Sequence, residues 1–102
     1  MAHFEDLWIE AESLLSNETS ISSLQEIVKE LIAKAEVFSR LEEVLSSSPV
    51  EGAKLLEGNA FGKLLLVVAQ ITAKQNINAY AALRMAIDDR KVEQLMLKYN
   101  TT

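Results

Sequence analysis

The chain has 102 residues, 49% of them apolar, with 15 Asp+Glu against 10 Lys+Arg and a formal net charge of −5. That length predicts a single domain over 1–102, and the apolar fraction excludes a disordered chain. A sequence pI of about 4.8 excludes a dedicated nucleic-acid module, the lack of Cys excludes disulfides and thiolate zinc sites, and a lone His excludes any site built on two imidazoles.

The elements follow from apolar spacing. Phe4, Leu7, Trp8, Ala11, Leu14 and Leu15 recur at steps of three and four, which predicts a helix over 3–16. Asn17-Glu18-Thr19-Ser20 reads as its break, because Asn and Ser side chains compete for the backbone hydrogen bonds that a helix needs. Leu24, Ile27, Val28, Leu31, Ala35, Phe38, Leu41 and Leu45 predict a second helix over 24–46. Such a helix is roughly 35 Å long, a length suited to a bundle or a dimer seam. Ser23-x-x-Glu26 has the spacing of a capping box at its start.

Ser46-Ser47-Ser48-Pro49 ends that helix, and Ser48-Pro49-Val50-Glu51 reads as a new start, with a Ser cap and Pro in the first turn. A short helix over 49–57 is expected to stop at Gly58. The next helix, 59–74, carries Phe61, Leu64, Leu65, Val68, Ile71 and Thr72 on one face, with Leu66 and Val67 off it. A helix apolar on most sides is buried in the middle of a fold or covered by a second chain, so a homodimer is expected. Gln75-Asn76-Ile77-Asn78 forms the last turn, with Asn78 as cap. The final helix, 79–98, bears Ala82, Met85, Asp89, Val92, Met96 and Tyr99 on one stripe, widened by Leu83 and Ile87. The predicted fold is all-α, an antiparallel bundle of four main helices plus one short helix.

The N-terminal 20 residues have no basic region, and acids interrupt their apolar residues, so they do not read as a signal peptide. The longest apolar run is Leu64–Ala69. The expectation is a cytoplasmic protein without membrane or nucleic-acid partners. Carboxylates are plentiful, but chemistry needs them to converge. Glu26 and Glu30 have i,i+4 spacing yet stand beside Lys29 and Lys34, as on a solvated face. Glu42-Glu43 and Asp88-Asp89 are adjacent pairs, and neighbours on a helix point about 100° apart, so each pair offers one inward ligand at most. Gly52, Gly58 and Gly62 lack the Lys-Ser/Thr that completes a phosphate loop. No catalytic residue is assigned.

The stretch from Gly62 to Arg84 resembles the third and fourth helices of the MazG-like all-α nucleoside triphosphate pyrophosphohydrolases. Gly62, Leu64 and Leu65, the turn Asn76-Ile77-Asn78, and Ala82-Leu83-Arg84 stand in the matching places. The resemblance covers about a third of the chain and implies a dimerising helical bundle. In active members it implies magnesium, held by Glu-Glu-x-x-Glu on one helix and Glu-x-x-Asp on the next, and hydrolysis of a nucleoside triphosphate to monophosphate and pyrophosphate. This chain departs from that pattern. Lys63 stands for the Asp, Ala60 for the Glu before it, and Ile87 for a following Asn; no Glu-x-x-Glu lies among Glu26, Glu30, Glu36, Glu42 and Glu43. An ammonium in place of a carboxylate repels Mg²⁺ and has no lone pair to offer.

The favoured reading is therefore a MazG-like, non-catalytic binding or structural module that forms a homodimer and needs no cofactor. Lys63 and Arg84 are its candidate substrate-binding residues, toward a nucleotide or a protein partner, with Lys63 expected to pair with Glu36 or Asp89. The alternative is an active magnesium-dependent pyrophosphohydrolase with relocated ligands, drawn from Glu36, Glu42, Glu43 and Asp89. Convergence discriminates the two, since bound Mg²⁺ requires its oxygens at about 2.1 Å.

Overall fold

The computed structural model describes residues 3–47 and 51–100. Its elements are α1 (Phe4–Leu14), α2 (Ser16–Ile21), α3 (Leu24–Ser47), α4 (Ala53–Lys74) and α5 (Ala79–Asn100). The described residues are all-α, as the periodicity requires. Two predicted boundaries fail, and the last helix does not join the bundle.

The segment Asn17–Ser20 is not a break. It lies inside α2, which follows α1 after a kink at Leu15. A tertiary contact holds it there: Thr19 is buried, and its carbonyl accepts a hydrogen bond from Lys74 Nζ at 3.1 Å. The chain leaves the helix at Ser22, whose backbone is extended.

Nor does Gly58 end a helix. The predicted helices over 49–57 and 59–74 are one continuous α4 from Ala53. The proposed Ser48-Pro49 start lies outside the described residues. α4 runs through Gly58 because its seam does: Ala53, Glu57, Ala60, Leu64, Val67 and Ile71, spaced by three and four, are all covered or part-covered. Continuous packing outweighs the cost of a mid-helix glycine, about 1 kcal/mol against alanine. The left-handed glycine is Gly52, whose φ of 81° turns the chain into α4. By length and composition α4 could cross a membrane; packing against α1, α2 and α3 is the competing use of its apolar surface.

α3 and α4 form an antiparallel hairpin. Phe38 meets Phe61 with ring centroids 5.8 Å apart, while Glu30 and Lys34 share a cleft with Lys63, Val67 and Gln70. Residue numbers thus rise on one helix as they fall on the other. Ile27, 1% exposed, and Leu45 anchor the two ends of the α3 stripe. Ser23 Oγ accepts from Glu26 N at 3.2 Å, the serine half of the expected capping box, and Asn78 Oδ1 accepts from Tyr80 N and Ala81 N at 3.0 Å as the cap read from the sequence.

α1 lies on the other side of α4, fastened by one side-chain chain of bonds. Trp8 Nε1 donates to Thr72 Oγ1 at 3.3 Å, and Thr72 Oγ1 lies 3.0 Å from Glu12 Oε2 and 2.9 Å from the Ala69 carbonyl. Thr72→Val removes the acceptor and leaves the buried indole N–H unpaired. The expected loss is about 1–3 kcal/mol by urea denaturation, and Thr72→Ser is expected to retain most of the stability.

α5 departs from the bundle. Its first turn touches α1, with the Tyr80 ring edge-on to Phe4 at 6.5 Å. From Ala81 to Asn100 every residue is exposed. The predicted stripe of Met85, Val92 and Met96 is exposed, and Leu83 and Ile87, expected to widen it, lie on the opposite side of the helix.

Candidate functional site

Two places in the described residues combine concavity with chemistry. The first is a polar notch in the α3–α4 seam. Lys34 occupies a seam position between Leu31 and Phe38, so a cation stands where the spacing calls for an apolar residue. Opposite it is Lys63, and together with Glu18, Glu30, Leu66 and the buried Gln70 they line a cleft of about 200 Å³. Lys63 therefore faces a cleft. It is not paired with Glu36 or Asp89 as expected; its neighbours in the cleft are Glu18 and Glu30.

The other sequence candidates lie apart from this notch. Arg84 is on the exposed part of α5, bonded to Asp88 at 2.8 Å. Glu36, Glu42 and Glu43 are exposed on α3, and Asp89 is exposed on α5. Glu42 receives hydrogen bonds from Ser46 Oγ, at its carbonyl and its carboxylate. Among the described residues, no three His, Cys, Asp or Glu side chains form a group that could hold a metal ion. His3 is exposed and shares a shallow cleft with Phe4, Glu5 and Tyr80.

The second place is an apolar groove of about 420 Å³ between α1, α4 and the first turns of α5. Phe4, Trp8, Leu65, Val68, Tyr80 and Leu83 line it. A smaller hollow of about 180 Å³, lined by Leu7, Ala11, Gly62 and Leu66, extends it along α1 and α4 through the shared Phe4, Trp8 and Leu65. Sequence reasoning missed Tyr80, because it sits outside the final helix's apolar stripe. The one available signal was its position two residues after the Asn78 cap, where the chain is held near the bundle.

The Tyr80 hydroxyl is buried without a hydrogen-bond partner. Burial, reinforced by the carboxylates of Glu5, Asp6 and Glu12, pushes its phenol above the ordinary value of 10.0. The folded chain thus holds this proton more tightly than the unfolded chain. The resulting stability is complete below pH 10 and is lost as pH rises through the folded value. Ultraviolet titration is expected to show one tyrosine ionising late, with thermal stability falling in the same window. Tyr80→Phe is expected to remove the late titration and flatten that fall.

Comparison with protein-family models, curated proteins and solved structures returns no match for this chain. The site must therefore be read from its own chemistry. The notch offers two ammonium groups and two carboxylates in a small cleft. The groove offers aromatic and aliphatic surface with acids at its edge, suited to an apolar or amphipathic surface.

Proposed function

We propose that this chain is a helical assembly module on a MazG-like scaffold, working as a homodimer and without pyrophosphohydrolase catalysis. The observation that carries this reading is uncovered surface. The chain exposes 8112 Å², where a compact monomer of its mass exposes about 5,700 Å². Its radius of gyration is 17.2 Å, against about 13 Å for a compact chain of this length. The excess of roughly 2,400 Å² per copy falls in the class of permanent interfaces. Much of it is apolar, with large hydrophobic residues bare on every main helix.

The MazG-like part rests on the residues from Gly62 to Arg84, which span the C-terminal half of α4, the turn and the start of α5. The non-catalytic part is supported by Lys63, which puts an ammonium where that family places a metal-binding carboxylate, and by the spread of Glu36, Glu42, Glu43 and Asp89 over exposed faces of two helices. Under this reading Lys63 and Lys34 make the notch a polar contact surface, and Arg84 serves α5.

The test has two arms. Light scattering is expected to return twice the 11.3 kDa chain mass; a monomer at all concentrations overturns the assembly reading. A panel of common and modified nucleoside triphosphates with Mg²⁺ or Mn²⁺ is expected to release no pyrophosphate. Turnover at about 1 s⁻¹ or faster, in the ordinary enzymatic range, overturns the non-catalytic reading in favour of relocated ligands.

A further inference from the structure

We propose that the two copies exchange their last helices, the exposed part of α5 from each lying in the α1–α4 groove of the other; this rests on the homodimer reading above. α5 continues beyond Leu83 for 17 residues, about 25 Å of helix, with no contact that buries any of them. It is apolar on two opposite sides. Met85, Val92 and Met96 mark one, and Leu83, Ile87 and Leu97 the other. A helix with two apolar sides fits between two walls better than against one, and α1 and α4 offer two, joined at one end by the first turns of the same copy's α5.

Charge favours the same occupant. α1 carries Glu5, Asp6, Glu10 and Glu12 and no base. α5 carries a small positive excess, Arg84, Arg90, Lys91 and Lys98 against Asp88, Asp89 and Glu93, and α4 is also positive, so α1 is the acidic wall of the groove. Placing α5 against a partner's α1 therefore joins opposite signs, which steers the encounter and sets orientation. The competing dimer, α5 against α5, joins two helices of the same small net charge and gains no such complementarity. Its heptad seam, Met85, Asp88, Val92, Leu95 and Tyr99, also includes the Asp88 carboxylate and leaves both grooves open. Exchange covers the groove and the bare helix together, in keeping with the uncovered area.

The full chain provides its own reporters, with one Trp, in the groove, and no Cys. Val92→Glu alters an exposed position that packs on nothing within one copy, so folding by circular dichroism is expected to be unchanged while the dimer mass falls to the monomer mass. For the arrangement, a Trp8→Phe, Val92→Cys chain carrying a nitroxide is mixed and equilibrated with the unaltered chain. Exchange predicts loss of Trp8 fluorescence from the unaltered copy. It also predicts that unlabelled Val92→Cys forms no disulfide between copies. A Val92→Cys disulfide with Trp8 unquenched overturns the exchange in favour of α5–α5 pairing, and a Val92→Glu chain that stays dimeric overturns it in favour of another seam. Both of those outcomes leave the homodimer standing. An unaltered chain that is monomeric at every concentration overturns both proposals.

Discussion

Trp8→Ala is expected to lower folding stability by about 3–5 kcal/mol, the range for deleting a large buried aromatic. Trp8 is 9% exposed and joins three features of the fold. Its ring contacts Phe4 at 5.9 Å, its indole N–H bonds Thr72 across 64 residues of sequence, and its body forms a wall of the apolar groove. Among the described residues the rest of the buried apolar core is small: Ile27, Leu45, Val67 and Ala69. Since small domains have only about 5–15 kcal/mol in total, losing Trp8 removes a large share. Urea denaturation followed by far-ultraviolet circular dichroism measures the loss. Leu14→Ala, at a site 74% exposed, is the matched control, expected to shift stability by no more than about 0.5 kcal/mol. A Trp8→Ala effect no larger than the control's would mean that α1 does not anchor the bundle.

The second large effect is in the concentration dependence of melting. A dimer that unfolds to separate chains is stabilised by mass action, by about 2.7 kcal/mol per dimer for a hundredfold rise in concentration. For a chain of this length, half of that per copy raises Tm by roughly 5–10 °C. A monomer shows no such rise. Thermal scans across that range decide the matter, and Val92→Glu is expected to abolish the dependence along with the dimer.

Features set by neighbours in sequence were legible. The Ser23 and Asn78 caps form because a side-chain oxygen reaches a backbone N–H two or three residues on, whatever lies elsewhere. The stripe on α3 was legible for the same reason, since its spacing is intrinsic to helix geometry. Two boundaries were not legible. Asn17–Ser20 has the composition of a break, yet Lys74 and the burial of Thr19 hold it helical. Gly58 has the chemistry of a helix stop, yet the seam to α3 carries the helix through it. In both cases a weak local preference of about 1 kcal/mol or less meets a contact made far away in sequence. The candidate site divides in the same manner. Lys63 was marked by its identity, but its neighbours Glu18, Glu30 and Lys34 became visible when α2, α3 and α4 were placed together. Tyr80 was marked only by its place after the Asn78 cap, because its role depends on meeting Phe4.

By itself the sequence determined the helical class, the caps, the apolar stripe of each main helix and the sign of the charge, all of which arise within a few residues or by counting. Tertiary structure alone decided which stripes are covered. α3 and α4 pack theirs against each other; the stripe on α5 is left bare. The physical reason is that periodicity states what a face is made of, whereas burial depends on another face of matching shape and charge being within reach. In this chain α1, α2 and α3 cover part of α4, and α5 leaves the bundle after its first turn with its apolar residues uncovered.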